Sequence, residues 1–256
     1  MKRFSIITVC KNCEKDIEDT ILSIIKQDTY DIQYIIKDCN SSDNTLNIVR
    51  KYKKYFSEIK IISNNDNGIY DAMNVALAHA NGEWIAFLNA GDKYTDNALR
   101  DIRRITEKKD RYSVIIGANI LISKDNKIIH IHKPKRGSFI AHPSCFVRRD
   151  IYKKYGNYNI KYPIFADQLY FHNLWKKEKI LLIETPLSFM KDGGFSTIDS
   201  NNKIKELFFL YREFGNNIII SFTKSYLKIY IKKILRIFIP LKYIYLMRKN
   251  INVNYE

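Results

Sequence analysis

Four times in the first 108 residues a short apolar run is followed by a segment with helical spacing. This alternation constrains the fold more than any other feature of the chain, because a strand–helix repeat specifies an α/β domain built on a largely parallel sheet. Phe4–Val9 reads as a buried strand, and Lys15–Gln27 places Ile17, Ile21, Ile24 and Ile25 on one helical face. Gln33–Lys37 is a second strand that ends at Asp38, and Thr45–Tyr55 a helix carrying Leu46, Ile48, Val49 and Tyr52. Lys60–Ser63 is the third strand and Ile69–Ala80 the helix after it, closed by the turn pair Asn81-Gly82. Trp84–Leu88 is the fourth strand, ending in Asn89-Ala90-Gly91-Asp92, and a helix is expected over Thr95–Lys108.

The second half is less regular. Two strands are expected between Ser113 and Ile131, with Lys124-Asp125-Asn126 as their turn. Helices are expected at Arg149–Gly156 and Phe165–Lys177, and a short strand at Ile180–Glu184, after which Pro186 turns the chain. From Ile218 to Glu256 the composition changes. Eight Lys/Arg against one Glu give this tail a charge of +7. Leu227, Ile231, Ile234, Phe238, Leu241 and Tyr245 share one helical face, Lys228, Lys232 and Arg236 another, and Pro240 breaks or kinks the run. The N-terminal apolar stretch is too short for a secretory signal, and no apolar run reaches the roughly 18 residues that span a bilayer.

In open α/β sheets ligands bind beyond the carboxyl ends of the strands, near a switch in strand order. Asp38 and Asp92 both directly follow apolar strands. Around Asp38 lies Cys39-Asn40-Ser41-Ser42-Asp43-Asn44-Thr45, a polar loop suited to a base N–H or ribose hydroxyl; Asp43 and Asn44 serve equally well as caps of the following helix. Asp66-Asn67-Gly68-Ile69-Tyr70-Asp71-Ala72-Met73-Asn74 combines acids with a glycine that permits positive φ and close approach of backbone to a ligand. Asp92 beside Gly91 suits a hard divalent cation, Mg²⁺ or Mn²⁺, whose remaining sites phosphate and water complete, although a plain strand-to-helix turn has the same composition. The net charge of +16 favours an anionic partner. Cys10 and Cys13 form a C-x-x-C pair, but no second pair and no His at finger spacing follows, so they read as small residues closing a strand. Four cysteines in 256 residues fit a reducing cytoplasm.

In order, Ser5–Val9, Asp38–Thr45, Gly68–Asn74 and Phe87–Asp92 resemble the segments of family-2 glycosyltransferases with the GT-A fold, nearest the bacterial polysaccharide and colanic-acid-type enzymes. The resemblance covers roughly residues 1–200 and implies a Rossmann-like, mostly parallel sheet with helices on both faces, followed by C-terminal amphipathic helices. It divides the chain into a GT-A domain, 1–200, with a nucleotide-binding half (1–110) and an acceptor half (111–200), and a basic helical tail, 201–256. It implies that Asp38 contacts the nucleotide base with Thr8 lining the pocket, that Asp43 is the second acid of that loop, and that Asp66, Gly68 and Asn74 lie by the ribose and donor sugar. Asp92 matches the last acid of the family's D-x-D metal motif; its first position is the amide Asn89, a departure from the family pattern. Phe165-Ala166-Asp167-Gln168 resembles the family's E-D segment and makes Asp167 the catalytic base, although an N-cap is the plain alternative. His142, Gly193 and Gly194 resemble acceptor-side positions.

The implied reaction is inverting transfer of a sugar from a nucleotide-diphosphate donor, uridine favoured, to a hydroxyl of a glycan or lipid-linked acceptor in bacterial surface polysaccharide synthesis. The cofactor is Mn²⁺ or Mg²⁺. The expected location is the cytoplasm, peripheral on the inner face of the cell membrane, with the segment 218–249 lying on anionic lipid. The same tail could instead pack on the core or a partner. A polyprenyl-phosphate sugar synthase is an alternative, one that usually carries a fuller acidic metal motif. A basic nucleic-acid-binding protein is a second, opposed by the ordered acids at strand ends. A nucleotidyltransferase or dinucleotide oxidoreductase needs a glycine-rich loop after the first strand, where this chain reads Cys10-Lys11-Asn12-Cys13.

Overall fold

Strand β1, Phe4–Cys10, is buried along its whole length, and its side chains alternate between two cores. Phe4, Ile6 and Cys10 face one, and Ile7 and Val9 the other, as the period of two requires of a strand covered on both faces. In the computed structural model, which describes residues 2–108, 111–123, 125–193, 201–221 and 223–225, β1 pairs in parallel with β2 (Ile32–Asp38) and β4 (Trp84–Phe87), and β2 with β3 (Glu58–Ser63). Helices α1 (Ile17–Ile25) and α2 (Thr45–Lys51) cover the first face together with α4 (Ala98–Lys108). The opposite face is covered by α3 (Ile69–Leu77), α5 (Arg149–Tyr155) and α6 (Ala166–Trp175). The expectation of helices on both faces is met.

The sheet continues past β4 as a mixed one. Its order is β3-β2-β1-β4-β8-β6-β9-β5, with β5 (Lys93–Tyr94), β6 (Val114–Ile122), β8 (Cys145–Arg148) and β9 (Ile180–Lys191), and with β7 (Ile128–His132) paired to β6. Strands β1 to β4 are parallel, whereas β8 runs antiparallel to both β4 and β6. Order reverses at β1, and the rule for such sheets puts the ligand side where β1 and β4 end.

Several elements differ from the sequence reading. The helix expected over Thr45–Tyr55 stops at Lys51, and Lys53–Tyr55 tightens into a 3-10 turn. Two strands, β5 and β8, are too short for periodicity to reveal. The short strand expected at Ile180–Glu184 runs on to Lys191: Pro186 does not turn the chain away but sits in a bulge, where the pairing with β6 shifts from Gly117↔Ile183 to Ala118↔Pro186 and Asn119↔Ser188. A bulge tolerates a residue without an N–H in the middle of a strand. Helix α7, Asn201–Glu213, docks on α6 through Leu207, Leu210 and Tyr211 against Ile164, Phe165 and Leu169. The segment beyond residue 225, which holds most of the amphipathic tail, lies outside the described residues, as does the expected turn residue 124.

Candidate active site

The parallel register brings Cys10, Asp38 and Ser63 side by side at the carboxyl ends of β1, β2 and β3. Asp38 is fully buried. Its Oδ2 accepts the Ser41 amide at 2.9 Å and the Ser63 hydroxyl at 2.8 Å, while Oδ1 accepts the Ser41 hydroxyl and lies 3.7 Å from Cys10 Sγ. A carboxylate offers about four lone-pair sites, so these donors saturate it. Beside it Lys37, fully buried, places its ammonium 2.7 Å from Asp66 Oδ2, 2.8 Å from the Asn64 carbonyl and 3.0 Å from that of Asp38. Burial pushes the Asp66 carboxyl up, but Lys37 and the Gly68 amide outweigh this and hold it below the usual carboxylate range. Lys37 was legible as a charge inside an apolar strand, yet the sequence reading passed it over.

Asp43 caps α2 from two residues upstream. Its Oδ1 accepts the Thr45 amide at 3.0 Å and hydroxyl at 2.5 Å, and Oδ2 accepts the Glu14 amide at 3.0 Å. Thr8 is buried and stitches strands together, donating to the Leu88 carbonyl at 2.7 Å, with its hydroxyl 3.0 Å from that of Tyr34. Gly68 stands at φ 119° ahead of α3 with open space where a Cβ would be. The amide of Asn74 is taken at both ends by Tyr158, Nδ2 donating to its carbonyl at 2.9 Å and Oδ1 accepting its N–H at 3.0 Å. Asn74 therefore clasps α3 to the loop after α5.

The turn after β4 is held by Thr20 of α1, whose hydroxyl donates to the Asp92 carbonyl at 2.8 Å and accepts from the Gly91 amide at 3.0 Å, with Gly91 at φ 98°. Asn89 Oδ1 is buried and has no hydrogen-bond partner among the described residues. Desolvation pushes the Asp92 carboxyl up to about 7, against the pull of the Lys191 backbone amide. An orphaned amide oxygen and a carboxylate whose charge is poorly compensated fit a divalent cation, which would satisfy both. Among the described residues no group of three or more His, Cys, Asp or Glu could hold a metal ion. Lys191, opposite this turn on β9, pairs with Asp16 at 2.5 Å.

Asp167 lies in the first turn of α6, with its side chain 13% exposed. Its Oδ1 accepts the Tyr70 hydroxyl at 2.8 Å and the Gln168 amide at 2.7 Å, and Oδ2 the Gln168 side-chain amide at 3.2 Å. Burial, reinforced by Asp167, holds the Tyr70 hydroxyl protonated far above its ordinary range, so it remains a donor. His142 sits behind Asp167 rather than on an open surface. Its Nδ1 is 3.8 Å from Asp167 Oδ2, its Nε2 is 2.8 Å from the Tyr158 hydroxyl, and its ring packs on Phe87 at 5.1 Å. Burial pushes its pKa down against the pull of Asp167, which keeps the imidazole neutral at pH 7. Gly193 is exposed at φ 102° just past β9; Gly194 lies outside the described residues.

Contacts link these places. Asp66 precedes α3, and one turn later Tyr70 of α3 reaches Asp167. Phe87, which ends β4 two residues before Asn89, touches His142, which faces Asp167. The sequence reading missed Tyr70, Lys37, Thr20 and Tyr158, and only Tyr70 stood inside a segment already singled out.

Residues 5–176 match the model of a family described as Glycosyl transferase family 2. A PGL/p-HBAD biosynthesis glycosyltransferase of Mycobacterium bovis is 30% identical over 169 residues, 64% of this chain and 66% of the relative. The fold is similar to that of Staphylococcus aureus TarS 1-349 solved in complex with UDP, with a TM-score of 0.69 at 18% identity over 94% of this chain and 76% of that one. It is also similar to the mannosyltransferase PcManGT of Pyrobaculum calidifontis, solved with GDP-Man and Mn²⁺, at a TM-score of 0.60 and 13% identity over 88% and 69% of the two chains.

Proposed function

Because the chain belongs to glycosyl transferase family 2 and has the GT-A fold, we propose that it is an inverting, cation-assisted glycosyltransferase that moves a sugar from a UDP-sugar to a hydroxyl of a glycan or lipid-linked acceptor. The observation that carries this reading is the hydrogen bond from Tyr70 to Asp167, 2.8 Å, which ties the helix that starts at the donor loop to a carboxylate in the other half of the domain. Residues 1–110 then serve as the nucleotide half and 111–200 as the acceptor half. UDP is the nucleotide with which the TarS neighbour was solved, and it suits a loop rich in hydroxyls and amides.

In this mechanism Asp38 takes a base N–H by exchanging a serine hydroxyl, Ser41 or Ser63, for it, since its acceptor sites are full. Asp66 and Gly68 face the ribose and donor sugar, and Thr8, Asp43 and Asn74 hold the walls. Asp92 and Asn89 would hold Mn²⁺ or Mg²⁺, which when bound supplies Lewis-acid stabilisation to the leaving diphosphate. Lys191, released from Asp16, can face the same charge. Asp167, oriented by Tyr70 and Gln168, takes the proton of the acceptor hydroxyl as that oxygen attacks the anomeric carbon from the face opposite the leaving group. A single displacement inverts the configuration. His142, neutral and behind the base, steadies its orientation on the acceptor side.

The partner surface follows from the end of the described chain. Ile218, Ile219 and Ile220 are 62%, 78% and 41% exposed, and they open the basic segment 218–249. Adjacent exposed isoleucines followed by cations suit an anionic membrane interface. Among the described residues no helix is long and apolar enough to cross a membrane. Flotation with anionic vesicles tests this: a chain truncated before Ile218 should lose binding, and undiminished binding removes the idea.

The reaction is tested with Asp167→Asn. Transfer should fall by about 10²–10⁴ while UDP and Mn²⁺ still raise the melting temperature. Turnover equal to the parent enzyme would end the assignment of the base.

A further inference from the structure

Helix α6 carries Asp167 in its first turn, yet its N-cap, Phe165, provides no side-chain cap hydrogen bond. The donors just before the helix are met from elsewhere. Glu206 of α7 accepts the Ile164 amide at 2.9 Å and the Phe165 amide at 3.2 Å on the single oxygen Oε2. Glu206 is 7% exposed, and its other oxygen, Oε1, is buried with no hydrogen-bond partner among the described residues. A carboxylate placed this way is costly unless its bonds matter. Helix α7 begins after residue 176, where the match to the family model ends.

We propose that Glu206 is a positioning residue for Asp167: by gripping the amides of Ile164 and Phe165 it fixes where α6 starts and so where its first-turn carboxylate points. The proposal rests on the reading of Asp167 as the base. The same short segment is gripped from the other side, because the Tyr70 hydroxyl lies 3.1 Å from the Ile164 carbonyl as well as 2.8 Å from Asp167 Oδ1. Ile164 thus has its N–H on Glu206 and its carbonyl beside Tyr70, and the base follows three residues later. Burial raises the Glu206 carboxyl above its ordinary range, with the two amides pulling it back. An acceptor oxygen at that place, rather than a full charge, is what the amides require.

Length and charge can therefore be separated. Glu206→Gln keeps an oxygen within reach of both amides, and Glu206→Asp keeps the charge but is one methylene short. Full-length protein with either substitution, alongside Leu210→Ala as a loosened α6–α7 contact and Asp167→Asn, is assayed for transfer and for hydrogen exchange in the segment 164–167. Glu206→Asp should lower kcat about tenfold or more with the donor KM within twofold, and its 164–167 amides should exchange faster. Glu206→Gln should stay within threefold of the parent on both readouts. Leu210→Ala should lower the melting temperature but hold kcat within threefold. The proposal is overturned if Glu206→Asp keeps its kcat, if Glu206→Gln fails as badly as Glu206→Asp, or if Leu210→Ala loses as much kcat as Glu206→Asp. An inactive Asp167→Asn beside an active Glu206→Asp sinks this proposal alone; an active Asp167→Asn removes the base and this proposal with it.

Discussion

Asp38 ends strand β2 and Asp167 stands in the first turn of α6, and the two are held differently. Asp38 is fixed by Ser41, three residues on, and by Ser63 on the adjacent strand; Asp43 is fixed by Thr45, two residues on. Asp167 is fixed by Gln168 beside it and also by Tyr70, 97 residues away in sequence, and its helix by Glu206, 42 residues beyond Ile164. Residues 1–110, the proposed nucleotide half, therefore hold their acids with donors from the same or the neighbouring β–loop–α unit, as a parallel sheet imposes. The acceptor half has no such repeat: α6 is positioned from α3, α7 and the 3-10 turn at His142–Ser144. A site on the first plan is written as a motif, and one on the second only in the tertiary structure.

The sharpest way to break this contrast is at Lys37, where the nucleotide half does depend on a buried ion pair. Removing one partner of a buried pair costs about 3–5 kcal/mol, and Lys37→Met strands Asp66, whose side chain is 7% exposed. Denaturant unfolding should show that loss, with UDP binding weakened as the Asp38–Asn64–Asp66 carbonyl and carboxylate group loosens. A variant as stable as the parent would mean that local turns alone hold the donor loop. Tyr70→Phe removes the hydroxyl that α3 donates to Asp167, the proposed base in residues 111–200. Such bonds are worth about 1.5–3 kcal/mol, so kcat should fall by about 10–100-fold with donor KM little changed. A rise in donor KM instead would place Tyr70 with the donor.

Glu178 gives the pH form of the same contrast. It is held by Ser113 at 2.6 Å, Tyr155 at 2.7 Å and Lys154 at 2.8 Å, three residues distant in sequence. Burial opposes its charge, but Lys154, Ser113 and Tyr155 outweigh that and hold the carboxyl down to about 2. A depressed carboxyl stabilises the fold above its unfolded pKa and ceases to do so as pH falls toward the folded one. Glu178→Gln should therefore melt about 3–6 °C below the parent at pH 7, and the gap should close as pH falls from about 4.5 toward 2. A gap that persists at low pH would trace the effect to packing.

These cases explain what could be read beforehand. The strands β1 to β4 and their acids were legible because a buried strand must be apolar and its polar end then stands out. Asp167 was singled out only through the resemblance; an acid at a helix start otherwise reads as an N-cap. Of the neighbours of Asp167, His142 was singled out through the same resemblance, but nothing local marks Tyr70, Tyr158 or Glu206 as sharing one place. The strand through Pro186 was missed for a related reason. A proline ends a strand by local rules, and only the bulge opposite Gly117–Asn119 makes it tolerable.

The smallest expected effect decides the most evenly balanced residue. Asp43 accepts the Thr45 amide and hydroxyl and the Glu14 amide, and burial that would raise its carboxyl is outweighed by those three donors, which hold it below the usual range. If its work is done at the start of α2, Asp43→Ala should lower the melting temperature by about 2–4 °C and leave the donor KM within threefold. If it instead reaches the nucleotide, the KM should rise tenfold or more with little change in melting. The first outcome keeps the nucleotide half as a set of self-capped units with Asp38 and Asp66 as its donor-facing acids. The second adds a third acid to that face and makes the cap a by-product of binding, since the same lone pairs cannot serve the Thr45 and Glu14 donors and a ribose hydroxyl at once.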